Sequence, residues 1–325
     1  MMTATAPDFG ALLARPALAE LRDYCTFEDD GRRTVPGAIL RDPDALAAEL
    51  ARAAERDREA GERSACAASA TTPARRAALM RAYASEWSIY FAGTMLYLVA
   101  VPALVADAVP DLSLDALAFA PDGYPKRARI ARTLRPTHGS RAARYGALLG
   151  ETFPAAVDAL HRASGLSREI LWVNFASRID SVFLSLAEHV PAFAEAALAE
   201  RDALLDGAHL FDAHTANPYR DAFRMQHDVH PLAPEPFRVR RNCCLRYAFD
   251  DHYKYCTTCP LLKKLPIAER DAHFARLAEY VDHHDHDHDH DHDHDHDHDH
   301  DHDHDHDHGH GHGHDHADAG RAHGE

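Results

Sequence analysis

Six cysteines in 325 residues, two tryptophans and no recognisable nucleotide-binding glycine pattern set the first limits. The thiols are too few for a disulfide framework, and a chain of this length with 46% hydrophobic residues can bury a core without one. No G-x-G-x-x-G or P-loop pattern follows a strand-like run, which leaves nucleotide or flavin binding without a motif. No H-E-x-x-H places two histidines on one helix face. The opening stretch MMTATAPDFGALLARPALAE lacks a basic segment followed by an unbroken apolar run, so a reducing, cytoplasmic setting is expected rather than secretion. The formal charge of −17 reads as strongly acidic, yet 15 Asp and Glu325 against Arg321 beyond residue 281 account for −15, leaving −2 for the body. A body so near neutrality excludes a basic nucleic-acid binder.

What is present reads as four regions. Residues 1–62 form an accessory segment with one amphipathic helix, DPDALAAELARAAERDREAG, in which Asp42 caps, Pro43 opens the first turn and Gly61 ends it. Residues 63–230 are mainly helical, from the Thr-Pro start of TTPARRAALMRAYASEWSIYFAGTMLYLV through LSREILWVNFASRIDSVFLSLAEHV to PAFAEAALAERDALLDG. Within this region LDALAFAPDGYPKRARI, with short runs on either side of Pro121-Asp122-Gly123-Tyr124, predicts a small β-hairpin. Residues 231–281 hold the cysteine cluster, and 282–325 are a His/Asp tail. The expected fold class is therefore mainly α, an α+β arrangement of helices with a small hairpin, a short sulfur-rich segment and a disordered end. Trp87 to Ala106 carries no charge and is long enough to cross a bilayer. Its Ser88, Tyr90, Gly93, Thr94, Tyr97 and Pro102 favour a buried core helix broken near Pro102, with peripheral association with the inner membrane left open.

Four cysteines fall within RRNCCLRYAFDDHYKYCTTCPLL: Cys243 and Cys244 adjacent, eleven residues between, then Cys256-Thr257-Thr258-Cys259. Four thiolates on so short a stretch suit a two-iron cluster or a zinc ion, both of which take soft sulfur ligands. Structural zinc usually pairs two C-x-x-C knuckles, and only one is present. Side chains of neighbouring residues on an extended backbone point opposite ways, so the Cys-Cys pair needs a turn before both can serve one centre. Iron–sulfur, zinc, and disulfide or unligated thiols all remain open on spacing. Cys25 and Cys66 are isolated and read as buried or idle thiols.

RRNCCLRY followed by CTTCPLL resembles the C-terminal signature of ferric siderophore reductases of the ferric hydroxamate reductase type. GLSREILWVNFAS is similar to that family's helical stretch, and ANPYRDAFR to its approach to the cluster, so about residues 65 to 265 are covered. The family loop between the pairs usually has ten residues, and eleven are present here. The resemblance implies a [2Fe-2S] cluster on Cys243, Cys244, Cys256 and Cys259, an Fe(III)-siderophore substrate, and an external electron donor protein. The implied activity is one-electron reduction, since hard oxygen donors hold Fe(III) far better than Fe(II) and one added electron loosens the chelate. Arg238, Arg240, Arg241, Arg246, Lys254, Lys263 and Lys264 crowd the motif and read as steering charges, offsets to a tetrathiolate, or plain solvated surface. Trp172 and Asn174 read as a buried aromatic and its hydrogen-bonding neighbour, and His252 as a histidine that could tune sulfur.

The tail holds nineteen histidines alternating with aspartates, and His283, His284, His286 and His288 begin it. Imidazole and carboxylate in alternation suit Ni(II), Zn(II), Cu(II) or Co(II). The rival reading follows from this tail: a metal-storage or chaperone protein whose cysteines hold structural zinc.

Overall fold

The computed structural model describes residues 7–28, 31, 33–59, 72–119, 124–233, 235–249 and 255–286. The chain is mainly helical, 61% helix against 10% strand, so its strands serve as clasps between helices. Residues Met1–Glu279 form one compact unit. Pro121 to Gly123, Cys66, Gly61, His252, Lys254, His288 and the expected disorder from residue 287 onward lie outside the described residues.

Helix starts follow the chemistry of their caps. After the short α1 (Phe9–Leu13), α2 (Pro43–Glu59) opens where the Asp42 carboxylate accepts from the backbone N–H of Asp44 and Ala45 at 3.1 and 3.0 Å. Helix α3 (Pro73–Ala106) opens at Thr72, whose hydroxyl accepts from Arg75 N–H at 3.3 Å. The expected break near Pro102 does not occur: the helix runs one further turn to Ala106. A proline so close to the end removes a single N–H, and Asp107, left-handed at φ 48°, closes the terminus by donating to the Pro102 carbonyl. Helix α4 (Arg141–Ala147) passes through a π turn, Leu148–Thr152, into α5 (Phe153–Ser164). Gly165 at φ 70° ends α5, and the Ser167 hydroxyl caps α6 (Arg168–His189), which is followed by α7 (Ala194–Asp206).

Helix α3 is the centre of the molecule. It is apolar on nearly every side, and packing follows: α6 lies along it, α7 along α6, and α2 bridges α3 and α5. Phe91 sits fully buried among Trp87 (5.1 Å between ring centroids), Phe119 (5.4 Å), Phe153 (5.8 Å) and Phe175 (6.3 Å). Among the described residues two helices, α3 and α6, are long and apolar enough to cross a membrane; within this fold 61% and 56% of their most apolar windows are covered by protein.

Two-residue strands tie the loops to this core. The hairpin expected around Tyr124 is present as β4 (Ala118–Phe119) antiparallel to β5 (Ala128–Arg129). It belongs to a four-stranded sheet in the order β1-β5-β4-β2, whose outer strands β1 (Cys25–Thr26) and β2 (Val35–Pro36) come from the N-terminal segment. A second pair joins β3 (Ala108–Val109) to β6 (Arg135–Pro136). The third pair, β7 (Phe223–Gln226) with β8 (Phe237–Arg240), leads directly into the cysteines. Sequence patterning did not single it out, because four-residue strands with charged alternate positions give little periodic signal. Helix α8 (Ile267–His286) closes the described chain, and its backbone includes His283, His284 and His286.

Candidate metal centre

β8 delivers the site by alternation. Phe237 and Val239 face a small second core with Val229, Cys259, Leu262 and Phe274, while Arg238 and Arg240 face α6. Arg238 pairs with Asp180, whose carboxyl burial pushes up against the pull of Arg238 and Arg201. Arg240, 2% exposed, donates through Nη1 to the Asn174 side-chain oxygen at 3.2 Å and through Nη2 to Cys256 Sγ at 2.7 Å. Burial opposes its charge, but the sulfurs of Cys256 and Cys244 outweigh that cost and hold the guanidinium above its ordinary range.

The four cysteines come together as a ring. Cys243 meets Cys244 and Cys259, and Cys256 meets the same two, with Cys244 and Cys256 sharing a sulfur–sulfur hydrogen bond at 4.0 Å. No disulfide forms between them. The turn that a Cys-Cys pair requires is supplied by Leu245, left-handed at φ 63°, whose N–H bends back to donate to Cys243 Sγ at 3.4 Å. The knuckle repeats the device: Cys259 N–H donates to the Cys256 carbonyl at 3.1 Å, and Leu261 N–H donates to Cys259 Sγ at 3.5 Å. Backbone N–H groups thus reach sulfurs in both pairs.

The ring concentrates negative charge on one member. Hydrogen bonds from the neighbouring thiols of Cys243 and Cys256, aided by Arg240, hold Cys244 far below the ordinary thiol range. Contact with that sulfur pushes Cys243 up to about 11 and raises Cys256, while Cys243 and Cys256 raise Cys259. Among the described residues, no three His, Cys, Asp or Glu side chains are set to hold a metal ion as they stand. Sulfur-to-sulfur hydrogen bonds occupy the lone pairs and protons that a metal centre would displace. Four adjoining thiols, with N–H and guanidinium donors aimed at them and a thiolate already favoured, are the donor set that iron–sulfur and zinc centres both take.

A polar seam carries the ring into the helical core. The Ser85 hydroxyl donates to the Cys244 carbonyl at 2.6 Å, and the Ser88 hydroxyl donates to the Ser85 carbonyl at 2.6 Å. Asn174, fully buried, donates to Ser85 Oγ and Ser88 Oγ at 2.9 Å each while its oxygen receives Arg240. Asn174 is therefore the hydrogen-bonding residue expected, and Trp172 the packing one, edge-on to Tyr219 at 5.5 Å. Asn217 organises the approach: its side-chain amide donates to the Leu204 and Gly207 carbonyls at 2.8 and 3.0 Å. Tyr219, also fully buried, donates to the Leu149 carbonyl of the π turn at 3.0 Å.

Among the described basic side chains, that of Arg240 is the one on sulfur, and the backbone N–H of Arg246 also reaches Cys244. Arg246 pairs with Glu86 of α3 at 2.7 Å, Lys263 donates to the His227 carbonyl at 3.1 Å, and Arg241 and Lys264 are exposed. His230 stacks on Phe274 at 4.5 Å, and His273 is buried with its pKa depressed by burial and then by Arg276. Ser85 and Glu86 were not singled out from sequence, and Ser88 only as a polar residue of a core helix. Their one signal is the S-E-W-S stretch inside α3, between its arginine-bearing first turns and its apolar second half. In comparisons with known proteins, no family model and no curated protein sequence matches the chain.

Proposed function

We propose that the chain is a ferric siderophore reductase that holds a [2Fe-2S] cluster on Cys243, Cys244, Cys256 and Cys259. The observation that carries this reading is the closed ring of four sulfurs beside a buried arginine. A cluster bound there supplies one-electron transfer. Arg240 and the N–H groups of Leu245 and Leu261 stabilise electron-rich sulfur, and the Asn174 seam fixes Arg240 in place. The substrate is Fe(III) in a siderophore; it gains one electron from an external donor protein by way of this site and leaves as Fe(II), which oxygen ligands hold weakly. The proposed setting is the cytoplasm, with no nucleic-acid partner. Two regions remain proposals of their own: the sulfur segment as the cofactor-binding part, and the His/Asp tail as a binder of Ni, Zn, Cu or Co, beginning with His283, His284 and His286 on the backbone of α8 and continuing from His288 as a disordered segment.

Electron paramagnetic resonance of the dithionite-reduced, anaerobically purified protein tests the cluster, and a ferrous-specific chromophore with a ferric chelate tests the reaction. A two-iron signal with ferrous product is expected. A colourless protein with one stoichiometric zinc would replace this reading with the metal-storage one. Removal of residues after Val281 is expected to leave turnover unchanged while abolishing nickel and zinc uptake by the tail.

A further inference from the structure

A cavity of about 60 Å³ reaches the sulfur ring from the helical body, lined by Glu86, Ile89 and Tyr90 of α3, Arg178 of α6, Cys244 and Arg246. Within it Glu86 and Arg246 satisfy each other. Arg178 has no such partner. Among the described residues its one hydrogen bond is a long one, Nη1 to the Ser181 hydroxyl at 3.5 Å, and its Nε is shielded from solvent without an acceptor. Around it stand the phenols of Tyr97, Tyr90 and Tyr24 and a second cation, Arg240. Arg178 lies one helical turn beyond Asn174 on the same face of α6, which is the face turned to the sulfur segment.

Arg178 is part-buried, and a guanidinium N–H shielded from water without an acceptor is costly in general. Arg240 already meets the sulfur, so the charge of Arg178 has another use open to it. A guanidinium offers a planar fork of donors that matches a carboxylate in two parallel hydrogen bonds. The enclosed part of the space is small, a fit for one carboxylate group rather than for the body of a chelate. The body of such a ligand must stay outside with one arm inserted.

We propose that this cavity is a carboxylate pocket, in which Arg178 receives one arm of an anionic ferric chelate and so docks the chelate against the Cys244 side of the ring. The proposal rests on the reductase reading for its purpose and names the substrate class: chelates with carboxylate arms rather than neutral hydroxamate complexes.

Equilibrium dialysis of ferric citrate and of the neutral ferric tris-acetohydroxamate complex, against the full chain and its R178Q and R178K variants, is the test, with thermal melts to establish folding. Loss of one charge-assisted contact predicts about tenfold weaker citrate binding in R178Q, a smaller loss in R178K, and no change for the neutral complex. Equal citrate affinity in all three proteins overturns the proposal, as does a wild type that binds no ferric citrate. A shifted paramagnetic signal in R178Q with citrate affinity intact also overturns it, since Arg178 would then only offset the charge of the ring. Should R178Q fail to fold, R178K decides, because it keeps the charge and removes the fork. If the wild type binds citrate through Arg178 but yields no Fe(II), the pocket stands and the reductase reading falls.

Discussion

Around Phe91 the molecule closes on rings, five aromatic side chains from two helices, a strand and the start of α5, with the Trp87 indole N–H as their one polar group. Around Cys256 it closes on directed bonds, with a guanidinium, an amide, two hydroxyls and backbone N–H groups each assigned to a particular oxygen or sulfur. The apolar contacts beside the ring amount to a small cluster, Val229, Phe237, Val239, Cys259, Leu262 and Phe274. The difference teaches where each kind of tolerance lies. Apolar packing is non-directional and degrades by increments, whereas a buried polar network left half-satisfied costs more than its pairwise sum.

Five changes sharpen that contrast. The largest effect belongs to serine at any of Cys243, Cys244, Cys256 or Cys259, expected to abolish the visible absorption and the reduced-state paramagnetic signal outright; intact spectra in all four variants would dismiss the ring as a metal centre. Next, Phe91→Ala should cost about 4 kcal/mol of stability in denaturant titration, yet leave iron content per folded molecule unchanged. Phe274→Ala, in the smaller cluster, should show the opposite balance, losing iron before it loses helicity by circular dichroism. Asn174→Ala comes next, at about 2 kcal/mol, because it removes the acceptor of Arg240 Nη1 and the donor shared by two buried hydroxyls. It should also shift the reduction potential of the centre, which a change confined to packing would not do.

The smallest effect lies outside the ring, at Cys25. Burial pushes this thiol from 9.0 up to about 11, with Arg127 pulling the other way. A thiol harder to ionise folded than unfolded stabilises the fold fully below pH 9. That contribution, about 2 kcal/mol at most, is lost as pH rises through about 11. In Cys25→Ala the stability curve between these values should be flatter than in the parent; an equal slope would assign the alkaline loss to other groups.

Much of the scaffold was legible because its signals are local. Asp42 and Thr72 announce helix starts through side-chain oxygens that reach N–H groups within the next turn, and the Pro-Asp-Gly-Tyr stretch marks a strand reversal. Pro102 misled because its consequence depends on distance from the helix end, and that end is set by Asp107. β1 and β2 were missed because two-residue strands exist only through partners 82 to 103 residues away.

By itself the sequence determined that four sulfurs lie on one short stretch, that the body is nearly neutral and that helices predominate, since spacing, charge and helical periodicity are properties of the chain. Only the tertiary structure decided that the Cys-Cys pair turns at Leu245 to close a ring, and that the Arg240 guanidinium meets sulfur. It also decided that Arg178, some sixty residues away in sequence, is left with an unanswered charge beside Cys244. Directed bonds among buried groups depend on which helix faces meet, and no local pattern encodes that meeting.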